Sequence, residues 1–185
     1  MKLVILDRDG VINEDSENFI RTADQYIALP GAMAAIARLS NNGYTVAVAT
    51  NQSGIAPGLL TLRDLAGIHD KLQQLAIAAG GEISKIVFCP HGPDDDCECR
   101  KPKAGLMNQL IDALGTPETC FMVGDNLRDL QAGMAVNAIP LLVKTGKGNR
   151  TIANSSLPHG SLPEGTLIFD DLRAVADWII GRQSV

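Results

Sequence analysis

Long apolar runs are missing from this 185-residue chain. No stretch approaches the roughly 20 apolar residues that a membrane-spanning helix needs, which excludes a membrane-embedded reading. The apolar run before the first acid, residues 3–6, is too short for the core of a secretory signal. An excess of positive charge is missing too: 16 Lys and Arg stand against 21 Asp and Glu, a formal net charge of −5. That balance disfavours a nucleic-acid partner or an anionic membrane surface. Cysteine is sparse, four in all, and it is crowded together, whereas a disulfide framework spreads its cysteines across a small secreted chain. There is no internal repeat and no low-complexity tract. A cytoplasmic protein with a single domain over 1–185 is expected, with a monomer as the default state.

What is present is ordinary for a chain with a full-sized core: 45% hydrophobic and 20% charged residues. Short aliphatic runs alternate with helical patterns. Strands are predicted at 3–6, 46–49, 83–88, 121–123, 140–143 and 167–169. Helices are predicted over 32–41, from a Thr61 cap through 79, and over 106–114, 127–136 and 172–180. The longest helix is expected to present Leu62, Leu65, Ile68, Leu72, Leu75 and Ala79 on one face. Residues 144–165, rich in Gly, Ser, Asn and Pro, read as a surface loop. The fold class is α/β, a Rossmann-like, mostly parallel sheet with helices on both faces.

In such sheets ligands bind beyond the carboxyl ends of the strands. Just past three apolar runs stand Asp7-Arg8-Asp9-Gly10, Thr50-Asn51-Gln52-Ser53-Gly54 and Gly124-Asp125-Asn126. Any one acid there, taken alone, reads more readily as a turn residue or helix cap than as part of a site. Three polar clusters in register on one rim read as a site. Asp7, Asp9 and Asp125 repel one another unless a cation lies between them or one keeps a proton. Magnesium suits such a site, since it takes one or two carboxylates and accepts phosphate oxygens.

A second constellation is Cys89-Pro90-His91 followed by Cys97-Glu98-Cys99. Three thiols and one imidazole make a closed four-ligand set, the structural kind of zinc site, in a loop at about 89–99. Asp94, Asp95 and Asp96 are its solvated tip, and Cys120 reads as a buried thiol. A metal clip there fixes the backbone of Arg100-Lys101-Pro102, which follows at once. His69 and His159 have no partner identifiable in the sequence.

These segments resemble the haloacid dehalogenase superfamily. Leu6-Asp7-Arg8-Asp9-Gly10-Val11-Ile12 looks like its first motif, Val48-Ala49-Thr50-Asn51 its second, Lys101-Pro102 its third, and Gly124-Asp125-Asn126-Leu127-Arg128-Asp129 its fourth. They fall in the family's order. The zinc loop and Thr50-Asn51-Gln52-Ser53-Gly54-Ile55 narrow the resemblance to the zinc-containing branch that holds D-glycero-D-manno-heptose 1,7-bisphosphate 7-phosphatases and histidinol-phosphate phosphatases. Pro57 stands where the heptose enzymes commonly show Arg, and Lys103-Ala104-Gly105-Leu106 replaces a more usual x-Pro-Gly-Met.

The resemblance implies a Mg²⁺-dependent phosphomonoester hydrolase with a structural Zn²⁺. Asp7 would be the nucleophile, passing through an aspartyl-phosphate, and Asp9 the general acid and then base. Mg²⁺ would be held by Asp7, Asp125 and the main-chain carbonyl of Asp9. Thr50, the Asn51 N–H and Lys101 would bind the phosphoryl group, with Asp129 orienting Lys101. Arg8, Gln52, Ser53 and Arg100 would join the substrate-binding set. A flap of Asp15, Ser16, Glu17 and Asn18 would hold the sugar, with Asn126 near metal and substrate. Only 42 residues, 8–49, separate Asp7 from Thr50, so no large cap domain fits between them. The substrate expected is therefore a small sugar phosphate, foremost a heptose bisphosphate on the way to lipopolysaccharide core. Histidinol phosphate is the runner-up. A catalytically silent zinc-stabilised binding module is the reading from another class, and it is weakened because Asp7, Asp9, Thr50, Lys101 and Asp125 are all present.

Overall fold

The computed structural model describes residues 1–157 and 159–182. Six strands, β1 (Lys2–Leu6), β2 (Tyr44–Asn51), β3 (Lys85–Cys89), β4 (Thr119–Gly124), β5 (Ile139–Val143) and β6 (Leu167–Phe169), form one sheet in the order β3-β2-β1-β4-β5-β6. Every pairing is parallel. Parallel strands need crossovers, and these carry α1 (Ala32–Asn41), α2 (Leu62–Ala78), α3 (Gly105–Leu114), α4 (Leu127–Met134) and α5 (Gly148–Asn154), while α6 (Leu172–Gly181) follows the last strand. A short 3-10 turn lies at Ala23–Gln25.

The central strand shows why the sheet reads as continuous apolar runs. Leu3, Val4, Ile5 and Leu6 are all fully buried, because helices cover both faces. Alternation along the strand sorts them between two cores. Val4 and Leu6 pack with Ile36 of α1, Ile68 of α2 and Val175 of α6. Leu3 and Ile5 pack with Leu106 and Leu110 of α3 and Ala132 of α4.

The expected elements are present with ends shifted by a few residues, and two expectations need correction. Within α2, Leu65, Ile68, Leu72 and Ala76 are buried, whereas Leu62 is 58% exposed and Ala79 stands in solvent at the helix end. The stretch 144–165 is not all loop, since it contains α5. Seven residues of sequence GNRTIAN are too few and too weakly helical to show a period. Tertiary bonds hold that helix: Thr151 Oγ1 donates to the Asp125 carbonyl at 2.8 Å. Among the described residues no helix is long and apolar enough to cross a membrane.

The strand order reverses between β1 and β4, the place where a parallel sheet opens a crevice at its carboxyl edge. Leu6 pairs with Val123 there. Asp7 and Asp125 therefore emerge side by side.

Candidate active site

Asp7 continues the strand, its N–H bonded to the Val123 carbonyl at 2.9 Å. The chain then turns at Gly10, whose φ of +84° favours glycine. A Cβ there would fall on Asp125 Oδ2, and so would one at Gly146, so two glycines let two loops close on this carboxylate. Carboxylate oxygens of Asp7, Asp125 and Asp129 all lie within 4.8 Å of one another. Between them runs the buried Lys101, with Nζ 2.8 Å from Asp7 Oδ1, 2.7 Å from Asp129 Oδ1 and 2.8 Å from the Ala49 carbonyl. Asp129 also accepts from the Asn126 N–H at 3.0 Å.

One ammonium does not balance three buried carboxylates. Burial pushes Asp7 up to about 6, against the pull of Lys101 and with added push from Asp129. Burial, then the charges of Asp129 and Asp7, push Asp125 up to about 8. Lys101 pairs with Asp7 and Asp129 alike, but Asp129 has its second oxygen on the Asn126 N–H as well, so the oxygens of Asp7 and Asp125 are the pair that a cation would relieve. An all-oxygen pair of this kind fits Mg²⁺.

Asp9 is treated differently. Its carboxylate receives the Arg8 guanidinium (Nη2 at 2.9 and 3.0 Å, Nε at 3.1 Å), Asn13 Nδ2 at 2.8 Å and Gln52 Nε2 at 2.9 Å. Burial alone would raise its pKa, but Arg8 and these hydrogen bonds outweigh burial and hold it below the usual carboxylate range. His69 Nε2 lies 3.3 Å from Arg8 Nη1, with its ring against Phe88. Burial, then the Arg8 charge, hold His69 down to about 4, so it meets Arg8 as a neutral acceptor. The histidine without a visible partner in the sequence thus backs the Arg8–Asp9 pair.

A small cavity of about 90 Å³ opens at this point, lined by Asp7, Asp9, Thr50, Asn51, Gln52, Ser53, Lys101 and Asp125. Asp15, Ser16, Phe19, Ile20, Arg128 and Lys147 complete its lining. Asn51 ties the second and third motifs together: its Oδ1 accepts from the Lys101 N–H at 3.0 Å and its Nδ2 donates to the Lys101 carbonyl at 3.1 Å.

Beside the cavity, Cys89, His91, Cys97 and Cys99 converge. Sulfur–sulfur separations are 3.1, 3.7 and 3.7 Å, and His91 Nδ1 lies 3.2 Å from Cys99 Sγ and 3.6 Å from Cys89 Sγ. Ligands about 2.3 Å from a tetrahedral zinc would stand roughly 3.7 Å apart, so the four donors fit that ion. The Gln52 N–H bonds to the Cys89 carbonyl at 2.8 Å, joining this cluster to the second motif. Lys103 Nζ pairs with Glu98 at 2.9 Å and Asp96 at 3.3 Å, tying the loop to the segment before α3.

Residues 6–137 match the family model for haloacid dehalogenase-like hydrolases. The chain belongs to that family. This hydrolase is 53% identical over 179 residues to D-glycero-beta-D-manno-heptose-1,7-bisphosphate 7-phosphatase of Pseudomonas aeruginosa, covering 96% of this chain and 97% of that one. It is 48% identical over 185 residues to the enzyme of the same name from Bordetella bronchiseptica, covering 97% and 98%. Among solved structures it resembles D,D-heptose 1,7-bisphosphate phosphatase from B. bronchiseptica, complexed with magnesium and phosphate, at a TM-score of 0.92 and 46% identity, covering 98% of this chain and 99% of that one.

In this haloacid dehalogenase-like hydrolase several residues expected at the substrate lie elsewhere. Arg8 is fully buried with its guanidinium turned inward to Asp9, so it does not face the cavity. Within the flap only Asp15 and Ser16 reach the cavity. A turn in which the Asn18 N–H bonds to Ser16 Oγ and the Phe19 N–H to the Ser16 carbonyl sends Glu17 and Asn18 outward. Phe19, at φ +61°, lies against Gly54 and lines the cavity as well. Asn126 spends its side chain accepting from the Arg128 N–H at 3.3 Å and lines a neighbouring hollow with Leu127 and Arg150. Arg100 donates to the His91 carbonyl at 3.1 Å, outside the cavity lining. Two cations unnoticed in the sequence, Arg128 and Lys147, reach the cavity. Arg128 sat within the fourth motif without a role. Lys147 lay in what read as loop, and its N–H donates to Asp125 Oδ2 at 2.7 Å while its Nζ pairs with Asp15 at 2.7 Å.

Proposed function

We propose that this protein removes the 7-phosphate of D-glycero-D-manno-heptose 1,7-bisphosphate, in the synthesis of heptose precursors of lipopolysaccharide core, as a cytoplasmic monomer. The observation that carries the reading is the buried Asp7 carboxylate, paired with Lys101 and facing the same cavity as Thr50 and Asp125. Relatives about half identical over nearly their whole length bear the name of that reaction.

Asp7 attacks phosphorus and the bond to the sugar oxygen breaks, leaving an aspartyl-phosphate and an alkoxide. The arriving phosphate dianion raises the proton affinity of Asp9, so the group that rests ionised carries the proton to the leaving oxygen. As a carboxylate again, Asp9 takes a proton from the water that hydrolyses the aspartyl-phosphate. Lys101 and Thr50 supply charge and a hydroxyl to the phosphoryl oxygens. Mg²⁺ would be held by Asp7, Asp125 and the Asp9 carbonyl, where it would neutralise carboxylate and phosphoryl charge. Zn²⁺ would occupy Cys89, His91, Cys97 and Cys99 and keep the Lys101 backbone in place.

Phosphate release over a panel of sugar phosphates and histidinol phosphate, with and without Mg²⁺, tests the reading. Heptose 1,7-bisphosphate should give the highest kcat/KM, and only with Mg²⁺. A higher value for histidinol phosphate would overturn the substrate, and no release from any ester would overturn the activity.

A further inference from the structure

His69 has no part in the chemistry above and does not line the reaction cavity. It is half-buried on α2, one turn beyond Leu65, on the side of the helix that Leu65 and Leu72 turn to the core. Its ring packs against Phe88 of β3, with 5.9 Å between centroids. A leucine would satisfy that packing. What calls for an imidazole is the contact of Nε2 with Arg8 Nη1 at 3.3 Å.

Arg8 is fully buried, so its guanidinium needs acceptors inside the protein. Nε and Nη2 are spent on Asp9. For Nη1, the remaining nitrogen, His69 is the acceptor among the described residues. An arginine N–H can only donate, so Nε2 accepts and the proton of the neutral ring sits on Nδ1. A rigid, planar group is thus gripped at both ends, by a carboxylate on one side and an imidazole on the other. Arg8 makes three of the five hydrogen bonds to the Asp9 carboxylate, so the direction of that carboxylate follows the guanidinium.

We infer that His69 is a positioning residue for proton transfer: by fixing the Arg8 guanidinium it holds the Asp9 carboxylate in the orientation that presents an oxygen to the leaving group. This deepens the proposed reaction and rests on Asp9 as its general acid. Without the imidazole, a buried Nη1 loses its partner, the guanidinium turns toward another, and Asp9 turns with it. A misdirected acid slows only the step that needs its proton. A sugar alkoxide needs that proton to leave, whereas 4-nitrophenolate, a stable anion, leaves without it.

The test compares heptose 1,7-bisphosphate with 4-nitrophenyl phosphate on the Mg²⁺-loaded wild-type enzyme, His69→Leu and His69→Gln. The ratio kcat/KM reports the steps up to departure of the leaving group. In His69→Leu it should fall about tenfold or more for the sugar ester, carried by kcat, and by less than about twofold for the aryl ester. His69→Gln, whose amide oxygen can accept from Nη1, should recover most of the loss on the sugar ester. His69→Ala takes the place of His69→Leu in the comparison if that variant does not fold. If both esters fall alike, or if Gln serves no better than Leu on the sugar ester, His69 is only packing, the inference is wrong and the proposed reaction stands. If the wild-type enzyme does not turn over the sugar ester at all, the proposed reaction falls and takes this inference with it.

Discussion

Asp7 and Asp9 are two residues apart and share a cavity, but their surroundings push them in opposite directions. Asp7 is lifted to about 6 by burial despite Lys101. Asp9 is held low because Arg8, Asn13 and Gln52 outweigh its burial. A nucleophile needs an accessible oxygen and a phosphate-binding cation at hand, which Lys101 supplies. Acid–base work needs a group whose charge state its neighbours define. Asp7→Asn keeps the shape and removes the proposed nucleophile. Its kcat should drop by more than about 10³-fold, while the thermal midpoint does not fall, because a repelled buried charge is removed. Turnover above about one per cent in a preparation free of wild-type enzyme would argue against an aspartyl-phosphate.

The helix and loop devices separate stability from chemistry. The N-terminus of α2 carries a reciprocal cap, with the Asp64 N–H on Thr61 Oγ1 at 3.1 Å and the Thr61 N–H on Asp64 Oδ2 at 2.9 Å. Thr61→Ala should cost about 1 kcal/mol in denaturant unfolding, with kcat unchanged because the cap is exposed and outside the cavity lining. The Cys/His loop sits nearer the cavity. It leads straight into Lys101, and α3 begins where a Cβ on Gly105 would strike the backbone of Glu98 and Cys99. Extracting zinc should lower the thermal midpoint, since binding and folding are coupled, and Mg²⁺ alone should not restore it. A zinc-free protein that melts at the same temperature would show that the four ligands are not a structural site.

At the scale of the whole molecule, the convergence of three buried carboxylates makes stability depend on pH and on divalent cation. Asp7 and Asp125 rise from 3.8 to about 6 and about 8 on folding. Without metal the folded chain therefore binds more protons than the unfolded one up to about pH 8, and stability falls as pH rises through that window. His69, lowered from 6.5 to about 4, acts in the opposite sense below pH 6.5, so the effect is cleanest above that value. In chelator the thermal midpoint should fall between pH 6.5 and 8, and added Mg²⁺ should raise it more at the upper end. A midpoint that climbs over this range in chelator would contradict the carboxylate geometry.

The linear sequence determined the α/β class, the polar strand ends that line the cavity and the Cys89, His91, Cys97 and Cys99 cluster. Parallel strands buried on both faces must be unbroken apolar runs, and polar residues immediately after them have only the carboxyl rim to occupy. The Cys/His cluster is legible because three cysteines and a histidine crowd into eleven residues, a spacing that suits a metal better than a disulfide framework. The tertiary structure decided which way side chains face. Arg8 follows Asp7 in sequence yet turns inward, because Asp9 and His69 offer it partners there. Asp15 and Lys147 meet only after the chain has crossed the sheet, and Arg128 reaches the cavity from the first turn of α4, which Asn126 caps. Those pairings depend on direction and distance between segments remote in the chain, and local pattern carries neither.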